Sequence, residues 1–82
     1  MVLHRIRETE WLVGINQTAK ALKQHIVQEL FVAKDADEQL VSRIALLAQQ
    51  HQMPITWVET MKQLGNACGI EVGAATAAIV KH

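Results

Sequence analysis

The sequence contains one cysteine, no net charge and no long apolar run, and each of these absences excludes a class of protein. The lone Cys68 excludes an intramolecular disulfide framework and a multi-cysteine zinc site, and a free thiol suits a reducing compartment. No apolar run approaches the roughly 20 residues that a bilayer-spanning helix needs, and no signal-peptide core follows the basic residues near the start. We therefore expect a soluble, cytoplasmic protein with no membrane partner.

The charge balance provides no general attraction to nucleic acid, because 8 Lys+Arg residues are matched by 8 Asp+Glu residues. Only a local basic face could supply such attraction. Apolar residues make up 50% of the chain, which excludes an intrinsically disordered protein. A length of 82 residues corresponds to a single domain that covers residues 1–82.

Enzyme and metal chemistry have little support in the sequence. The 4 histidines show no metal-ligand spacing, and no dinucleotide-binding, Walker or zinc-protease motif is present. Cys68 falls on the apolar side of a predicted helix, which is typical of a structural thiol. A spatial pairing of Cys68 with a histidine is the one enzymatic alternative. We expect a non-enzymatic protein with no catalytic residue, metal site, cofactor or small-molecule substrate.

Strand and helix patterns alternate along the chain. Apolar runs predict strands at residues 11–13, 30–33, 55–58 and 74–80. The middle two runs are nearly continuous in apolar character, as in strands that are covered on both faces. Trp11 and Trp57 lie on predicted strands and are therefore expected to pack in the core.

Amphipathic patterns predict helices at residues 17–25, at 37–52 and from residue 60, with a weak helix at 2–8. Asn16 is the predicted N-cap of the first of these helices, and Ala19, Leu22 and Ile26 form its apolar side. Acidic residues at 35–38 favour a helix start there, and residues 60–63 match a capping box. The alternation implies an α/β fold with helices on both faces of one sheet.

A glycine turn at Gly14 joins the first predicted strand to the first helix. Backbone N–H groups at such a helix start attract anions, and Asn16 and Gln17 carry both donors and acceptors that can read base edges. Lys20 follows one turn later on the same face, with Lys23 nearby. This arrangement suits an RNA phosphate and base edges. The alternative is an ordinary helix start with polar first-turn residues and a solvated lysine.

A second stretch has glycines at positions 65, 69 and 73, which enclose a predicted loop at residues 69–73. Glycine there permits a positive φ or the close approach of a partner. Ile70 and Val72 are unusual in an exposed turn, and such side chains often mark a contact surface, for example a wall against an unpaired base. The alternative is that the glycines serve helix packing while both apolar side chains turn into the core.

These two stretches resemble a known family, the kink-turn RNA-binding proteins that include archaeal ribosomal L7Ae and eukaryotic ribosomal L30e. The resemblance is greatest to the short bacterial members found in Firmicutes. Residues 14–20, GINQTAK, are similar to the family's G-x-N-E-x-x-K motif, and residues 64–75, LGNACGIEVGAA, to its LG-x-A-x-G-I-E-V stretch. Residues 32–37, VAKDAD, also look like the family's segment after the second strand. The resemblance covers roughly residues 11–80.

The resemblance implies a three-layer α-β-α sandwich with a four-stranded mixed sheet. It also implies binding to kink-turns, which are RNA bends built on tandem sheared G·A pairs next to a bulge. By that resemblance Asn16 and Gln17 contact the guanines and Lys20 contacts the same region, while the loop Ile70-Glu71-Val72 packs around the flipped nucleotide of the bulge. Gln17 stands where archaeal members of the family usually have Glu, and its amide keeps an oxygen that can accept a hydrogen bond from a guanine.

We therefore predict an RNA-binding protein that recognises and stabilises kink-turns in structured RNA, of ribosomal or riboswitch type, with the ribosome as one setting. A neutral protein can bind RNA if its few cations converge. The predicted RNA-binding residues are Gly14, Asn16, Gln17, Lys20, Lys23, Lys34, Lys62, Ile70, Glu71 and Val72. Two alternatives stay open: a structural ribosomal or ribonucleoprotein component with little binding to free RNA, and a protein-interaction adaptor that uses Ile70 and Val72.

Overall fold

The computed structural model describes residues 9–81 of the chain, so the helix predicted at residues 2–8 lies outside the described part. Helices and strands alternate along the described residues, as the sequence predicts. The elements are β1 (Thr9–Val13), α1 (Ile15–Lys23), β2 (Val27–Ala33), α2 (Glu38–Gln50), β3 (Ile55–Val58), α3 (Met61–Cys68) and β4 (Thr76–Lys81).

The four strands form one mixed sheet in the order β1-β4-β2-β3. The last strand of the chain, β4, pairs antiparallel with both β1 and β2, and β3 pairs parallel with β2. The parallel pair requires a crossover, which α2 provides. This arrangement confirms the predicted four-stranded mixed sheet.

Two apolar clusters, one on each face of the sheet, confirm the three-layer sandwich. Leu30 and Val32 of β2 belong to a cluster that also contains buried residues of α1 and α2. Phe31 and Ala33 alternate with them and belong to a second cluster that contains Leu64 of α3. Because successive strand residues face opposite sides, β2 lies between two cores, as its continuous apolar run predicts.

Helix α1 begins and ends two residues earlier than predicted, and the predicted N-cap was wrong. Gly14, with φ 102°, is the N-cap, which places Asn16 inside the first turn. The helix buries Thr18, Ala21 and Leu22. Ile26, predicted on the buried side, lies beyond the helix and is 39% exposed. The cause is the left-handed turn after α1, where His25 has φ 60°.

The prediction that Trp57 packs in the core was also wrong. Strand β3 occupies an edge of the sheet, and the Trp57 side chain is 45% exposed there. Trp11 is half-buried and packs against Phe31, with ring centroids 5.1 Å apart. An apolar run in a single sequence does not distinguish an edge strand from a central one, which explains the difference.

The caps of the other two helices agree with the sequence pattern. Asp37 is the N-cap of α2 and accepts a hydrogen bond from the backbone N–H of Gln39 at 2.8 Å. Thr60 is the N-cap of α3 and accepts one from the N–H of Gln63 at 3.0 Å. Strand β4 begins at Thr76, two residues later than predicted. Residues 74 and 75 belong to the irregular segment that precedes the strand.

Candidate nucleic-acid interface

The segments that the sequence analysis singled out lie together at one end of the sheet, where β1, β2 and β3 end and β4 begins. The backbone N–H of Gly14 donates to the carbonyl of Thr76 at 3.0 Å, which joins the start of α1 to the start of β4. The N–H of Ala33 donates to the carbonyl of Ala75 at 2.9 Å, and the N–H of Lys34 to that of Val58 at 2.8 Å. This end of the sheet, which we call the loop edge, therefore contains the loops at residues 14, 34–37, 59–60 and 69–75.

The start of α1 at the loop edge leaves backbone donors uncapped. The first helical bond runs from the N–H of Thr18 to the carbonyl of Gly14, at 3.0 Å. No side chain caps the helix, and its first turn carries no acidic residue. The first N–H groups of the helix, together with its dipole, therefore favour an anion or another acceptor at this point.

The solvent side of α1 carries the predicted polar residues in a row. Asn16, Gln17, Lys20 and Lys23 are exposed, while the opposite side of the helix is buried. Asn16 and Lys20 are separated by one turn and therefore share a face. From the helical rise, Lys20 lies roughly 6 Å and Lys23 roughly 10 Å along the axis from Asn16. Lys23, at the far end of the helix, is the most distant of the four from the loop edge.

The loop at residues 69–73 is held against α3 by two glycines. Gly69 ends α3 in the left-handed conformation, with φ 82°. Gly65 lies so close to the backbone carbonyl of Val72 that an added Cβ would collide with it. The N–H of Ala74 donates to the carbonyl of Met61 at 3.0 Å. The loop is therefore fixed by backbone contacts, which leaves its side chains available.

The two apolar side chains of this loop have different surroundings. Ile70 is half-buried and packs against the cluster under α3, whereas Val72 is 70% exposed. Glu71 between them is exposed. The prediction of a contact surface therefore agrees with Val72, and the alternative of core packing agrees in part with Ile70.

Cations at the loop edge are fewer than the sequence suggests, because one of them is paired. Lys34 Nζ lies 3.0 Å from Glu59 Oε2, and both side chains are exposed. Such a surface pair contributes about 0–1 kcal/mol, so an RNA phosphate can compete for the lysine. Lys62 is exposed in the first turn of α3, next to Met61.

Sequence reasoning missed the role of Asp35. The acidic residues at 35–38 were assigned to the start of α2, and Asp37 does cap it. Asp35, however, accepts a hydrogen bond from the backbone N–H of Met61 at 2.8 Å and so satisfies the first N–H group of α3, beside the N-cap Thr60. The two residues are 26 positions apart, and no local pattern signals such a contact.

Groups that could perform catalysis or hold a metal are sparse. Cys68 is half-buried beside Leu64, and burial raises the pKa of its thiol. His25 and His51 pack edge to face, with ring centroids 5.1 Å apart. Among the side chains of residues 11–80, no cluster of three or more His, Cys, Asp or Glu could hold a metal ion. The same residues include no helix with the length and apolar character needed to cross a membrane.

Comparison with known proteins places these features in a family. The family described as Ribosomal protein L7Ae/L30e/S12e/Gadd45 matches residues 4–82 of the chain. An RNA-binding protein of Halalkalibacterium halodurans is 48% identical over 73 residues, which are 89% of each chain. An RNA-binding protein of Bacillus pumilus is 52% identical over 69 residues, or 84% of each chain.

More distant relatives agree with these matches. The large ribosomal subunit protein eL8 of Halobacterium salinarum is 41% identical over 68 residues, which are 82% of this chain and 57% of that protein. The structure of a 15.5 kDa RNA-binding protein of Giardia lamblia superimposes with a TM-score of 0.81 at 26% identity, over 89% of this chain and 62% of that one. These names are those of RNA-binding and ribosomal proteins, which confirms the prediction that the chain is not an enzyme. The chain belongs to the Ribosomal protein L7Ae/L30e/S12e/Gadd45 family.

Proposed function

We propose that this protein binds RNA and that it recognises and stabilises kink-turns through the loop edge. The observation that supports this most is the adjacency of the two family motifs. The turn at Gly14 and the segment that leads into β4 are joined by the bond from Gly14 to Thr76. Relatives with 48% and 52% identity are RNA-binding proteins by name. These relatives support the RNA-binding part of the proposal.

The exposed first turn of α1 is suited to reading bases in a distorted groove. The regular A-form major groove is too narrow for side chains, so sequence-specific proteins read RNA where the helix is interrupted. Sheared G·A pairs offer guanine donors and acceptors at such a site. Asn16 and Gln17 each carry a carbonyl oxygen and an NH₂ group, and Lys20 supplies a charge on the same face. We assign these three residues to the G·A pairs.

The loop Ile70-Glu71-Val72 is suited to holding the flipped nucleotide of the bulge. Val72 is 70% exposed, and an apolar side chain in that position gains contact area from a base face. Half-buried Ile70 supports the loop from below. Gly65 holds the backbone of Val72 close to α3, so little conformational freedom is lost when RNA binds.

We assign the phosphate contacts to Lys23, Lys34 and Lys62. The number of phosphate contacts determines how strongly the affinity for RNA depends on salt concentration. A net charge of zero means that only local cations contribute. With roughly three to five phosphate contacts, log K should fall against log salt with a slope of about −2 to −4. Titrations at several salt concentrations measure this slope, and a slope near zero would contradict an RNA interface at these lysines.

The proposal is tested by titrating the protein into two RNA duplexes that carry a donor and an acceptor fluorophore. One duplex has a short bulge followed by tandem G·A pairs, and the other has Watson–Crick pairs in their place. Tight binding to the first alone, with increased energy transfer, is expected because binding to the bent form shifts the population toward it. Equal binding to both RNAs, or none, would contradict kink-turn recognition.

A ribosomal component is the second candidate, because the archaeal relative is named as a ribosomal subunit protein. Co-sedimentation with ribosomal subunits, without affinity for the isolated kink-turn duplex, would favour it. A protein adaptor that uses exposed Val72 would bind its partner with little salt dependence and after RNA removal. The natural RNA, whether ribosomal or riboswitch, and the cytoplasmic location both stay predictions.

A further inference from the structure

Two histidines lie side by side at the end of the sheet opposite the loop edge. Helices α1 and α2 both begin at the loop edge, so both end at this opposite end. His25 directly follows the C-cap of α1, and His51 is the C-cap of α2. Their ring centroids are 5.1 Å apart. The two residues are distant in the sequence, so no local pattern indicates that they meet.

Both helices end at a residue that has the left-handed conformation without being glycine. Among the residues that the structure describes, His25 and Gln52 are of this kind, with φ values of 60° and 57°. The N–H of Ile26 donates to the carbonyl of Ala21 at 3.3 Å, as in a Schellman motif, and α2 ends in the same way. Glycine would adopt this conformation without the conformational cost that a histidine carries. Such costs concentrate at functional sites.

The surroundings of the two rings favour a cation. The last carbonyl groups of α1 and α2 place the negative ends of two helix dipoles here. The last turn of α2 contains no basic residue, and Lys23, in the last turn of α1, is exposed to solvent. His25 is exposed and His51 half-buried, and neither ring joins a hydrogen bond found among the described residues. Each neutral ring therefore keeps one nitrogen with a free lone pair.

We propose that His25 and His51 bind one divalent transition-metal ion of the class of Zn²⁺, Ni²⁺ and Cu²⁺. Imidazole nitrogen suits these ions, whereas Mg²⁺ and Ca²⁺ prefer oxygen ligands. Two imidazoles that point at one tetrahedral zinc, with Zn–N distances of about 2.0–2.1 Å, place their ring centroids roughly 5 Å apart. The observed 5.1 Å matches this separation. Rotation of the exposed His25 ring about its Cβ–Cγ bond, which has a broad energy profile, turns its nitrogen toward the ion.

The site is an exchangeable one, because two nitrogens are fewer ligands than a structural zinc site has. Among the side chains of residues 11–80, no third His, Cys, Asp or Glu completes it, so water occupies the remaining positions of the ion. A bound ion joins the ends of α1 and α2 and stabilises the folded chain, since the unfolded chain has no preformed site.

The inference goes beyond the proposed function and does not depend on it. Helix α1 has 9 residues and therefore rises roughly 13 Å from the loop edge to its end. An ion at His25 is out of reach of bases that are bound beside Asn16. The alternative is an aromatic pair without a ligand, which accounts for the distance between the rings but gives no preference for one class of cation.

The test is a titration of Zn²⁺ into the full chain labelled with nitrogen-15, with Mg²⁺ as the control cation. The NMR signals of the His25 and His51 rings are expected to shift and to saturate at one ion per chain. The Tm is expected to rise with the concentration of zinc. Mg²⁺ should change neither measurement. No RNA is present, so failure of this proposal is distinguishable from failure of kink-turn recognition.

Variants separate binding of the ion from packing of the rings. His51→Phe keeps an aromatic ring against His25 but removes one ligand. His25→Asn keeps a residue that tolerates the left-handed conformation and removes the other. Each should weaken zinc binding by about tenfold or more, since even loss of an outer partner of a metal ligand costs that much. The double variant His4→Gln, His82→Gln, at histidines outside the described residues, is the matched control and should bind zinc as before.

The proposal is overturned if zinc leaves the two ring signals unshifted, if magnesium shifts them equally, or if His51→Phe or His25→Asn binds zinc as tightly as the unmodified protein. Loss of zinc binding in the His4→Gln, His82→Gln variant would also overturn it, because the ion would then be bound by those histidines.

Discussion

At the scale of single residues, two buried threonines show how one hydroxyl group can have opposite effects on stability. Both side chains are fully buried. Thr76 Oγ1 donates to the carbonyl of Phe31 at 2.8 Å, whereas Thr18 Oγ1 has no partner among the described residues. An unsatisfied buried hydroxyl carries its full desolvation penalty, and a bonded one offsets it.

The same substitution should therefore change stability in opposite directions at the two sites. Thr18→Val should raise the free energy of unfolding by about 1 kcal/mol, which corresponds to an increase in Tm of roughly 4–8 °C for a domain of this size. Thr76→Val should lower it by about 1 kcal/mol because the Phe31 carbonyl loses a donor. Urea unfolding measures both values. Equal signs would contradict this account of the two hydroxyls.

Gln17 gives a prediction about affinity at the same scale. Gln17→Glu introduces the glutamate of the motif that residues 14–20 resemble, and a carboxylate makes stronger hydrogen bonds to guanine donors than an amide does. Binding to kink-turn RNA should tighten severalfold, although the change adds a negative charge. Gln50→Glu, which adds the same charge away from the loop edge, should not tighten it. Weaker binding by the Gln17 variant would indicate that position 17 faces phosphates.

At the scale of elements, α1 shows what the sequence could predict and what it could not. The motif placed Asn16, Gln17 and Lys20 on one exposed helical face, and they lie on it. The helix start was misplaced because Asn16 is a good N-cap by type, while the turn needed a positive φ that favours Gly14. The position of Asn16 matters for function. Because Asn16 lies within the first turn and does not cap the helix, its side chain is free to contact RNA.

Gly65 connects α3 to the loop at residues 69–73 and gives the second stability prediction. Gly→Ala usually stabilises a helix interior by roughly 0.5–1 kcal/mol. Here the new Cβ would collide with the carbonyl of Val72, a backbone atom that cannot rotate away. Gly65→Ala should therefore lower the free energy of unfolding by about 1–3 kcal/mol and weaken RNA binding through the displaced loop.

Asn66→Ala is the matched control for that experiment, because Asn66 is the exposed neighbour on the same helix. It should leave stability unchanged or slightly raised. Chemical denaturation of both variants gives the comparison. A Gly65→Ala protein as stable as the Asn66→Ala protein would show that the loop is not held by this close approach.

At the scale of the whole molecule, strand order determines what the site contains. Alternation of helices and strands predicts an α/β sandwich, but it does not say that β4 inserts between β1 and β2. That insertion brings the segment after α3 next to Gly14. Only the family resemblance linked the two motifs before the structure did. The edge position of Trp57 follows from the same strand order, and no local pattern predicts it.

Kink-turn recognition requires that residues of the loop edge contact the G·A pairs themselves. A double-mutant cycle measures the free energy of that interaction directly. The affinities of the unmodified protein and of Asn16→Ala are determined for the kink-turn duplex and for the Watson–Crick duplex, at one salt concentration. A coupling free energy of about 1–3 kcal/mol is expected, because Asn16 would contact the G·A pairs only in the first RNA. An equal loss on both duplexes, or no loss on either, would contradict kink-turn recognition at this edge.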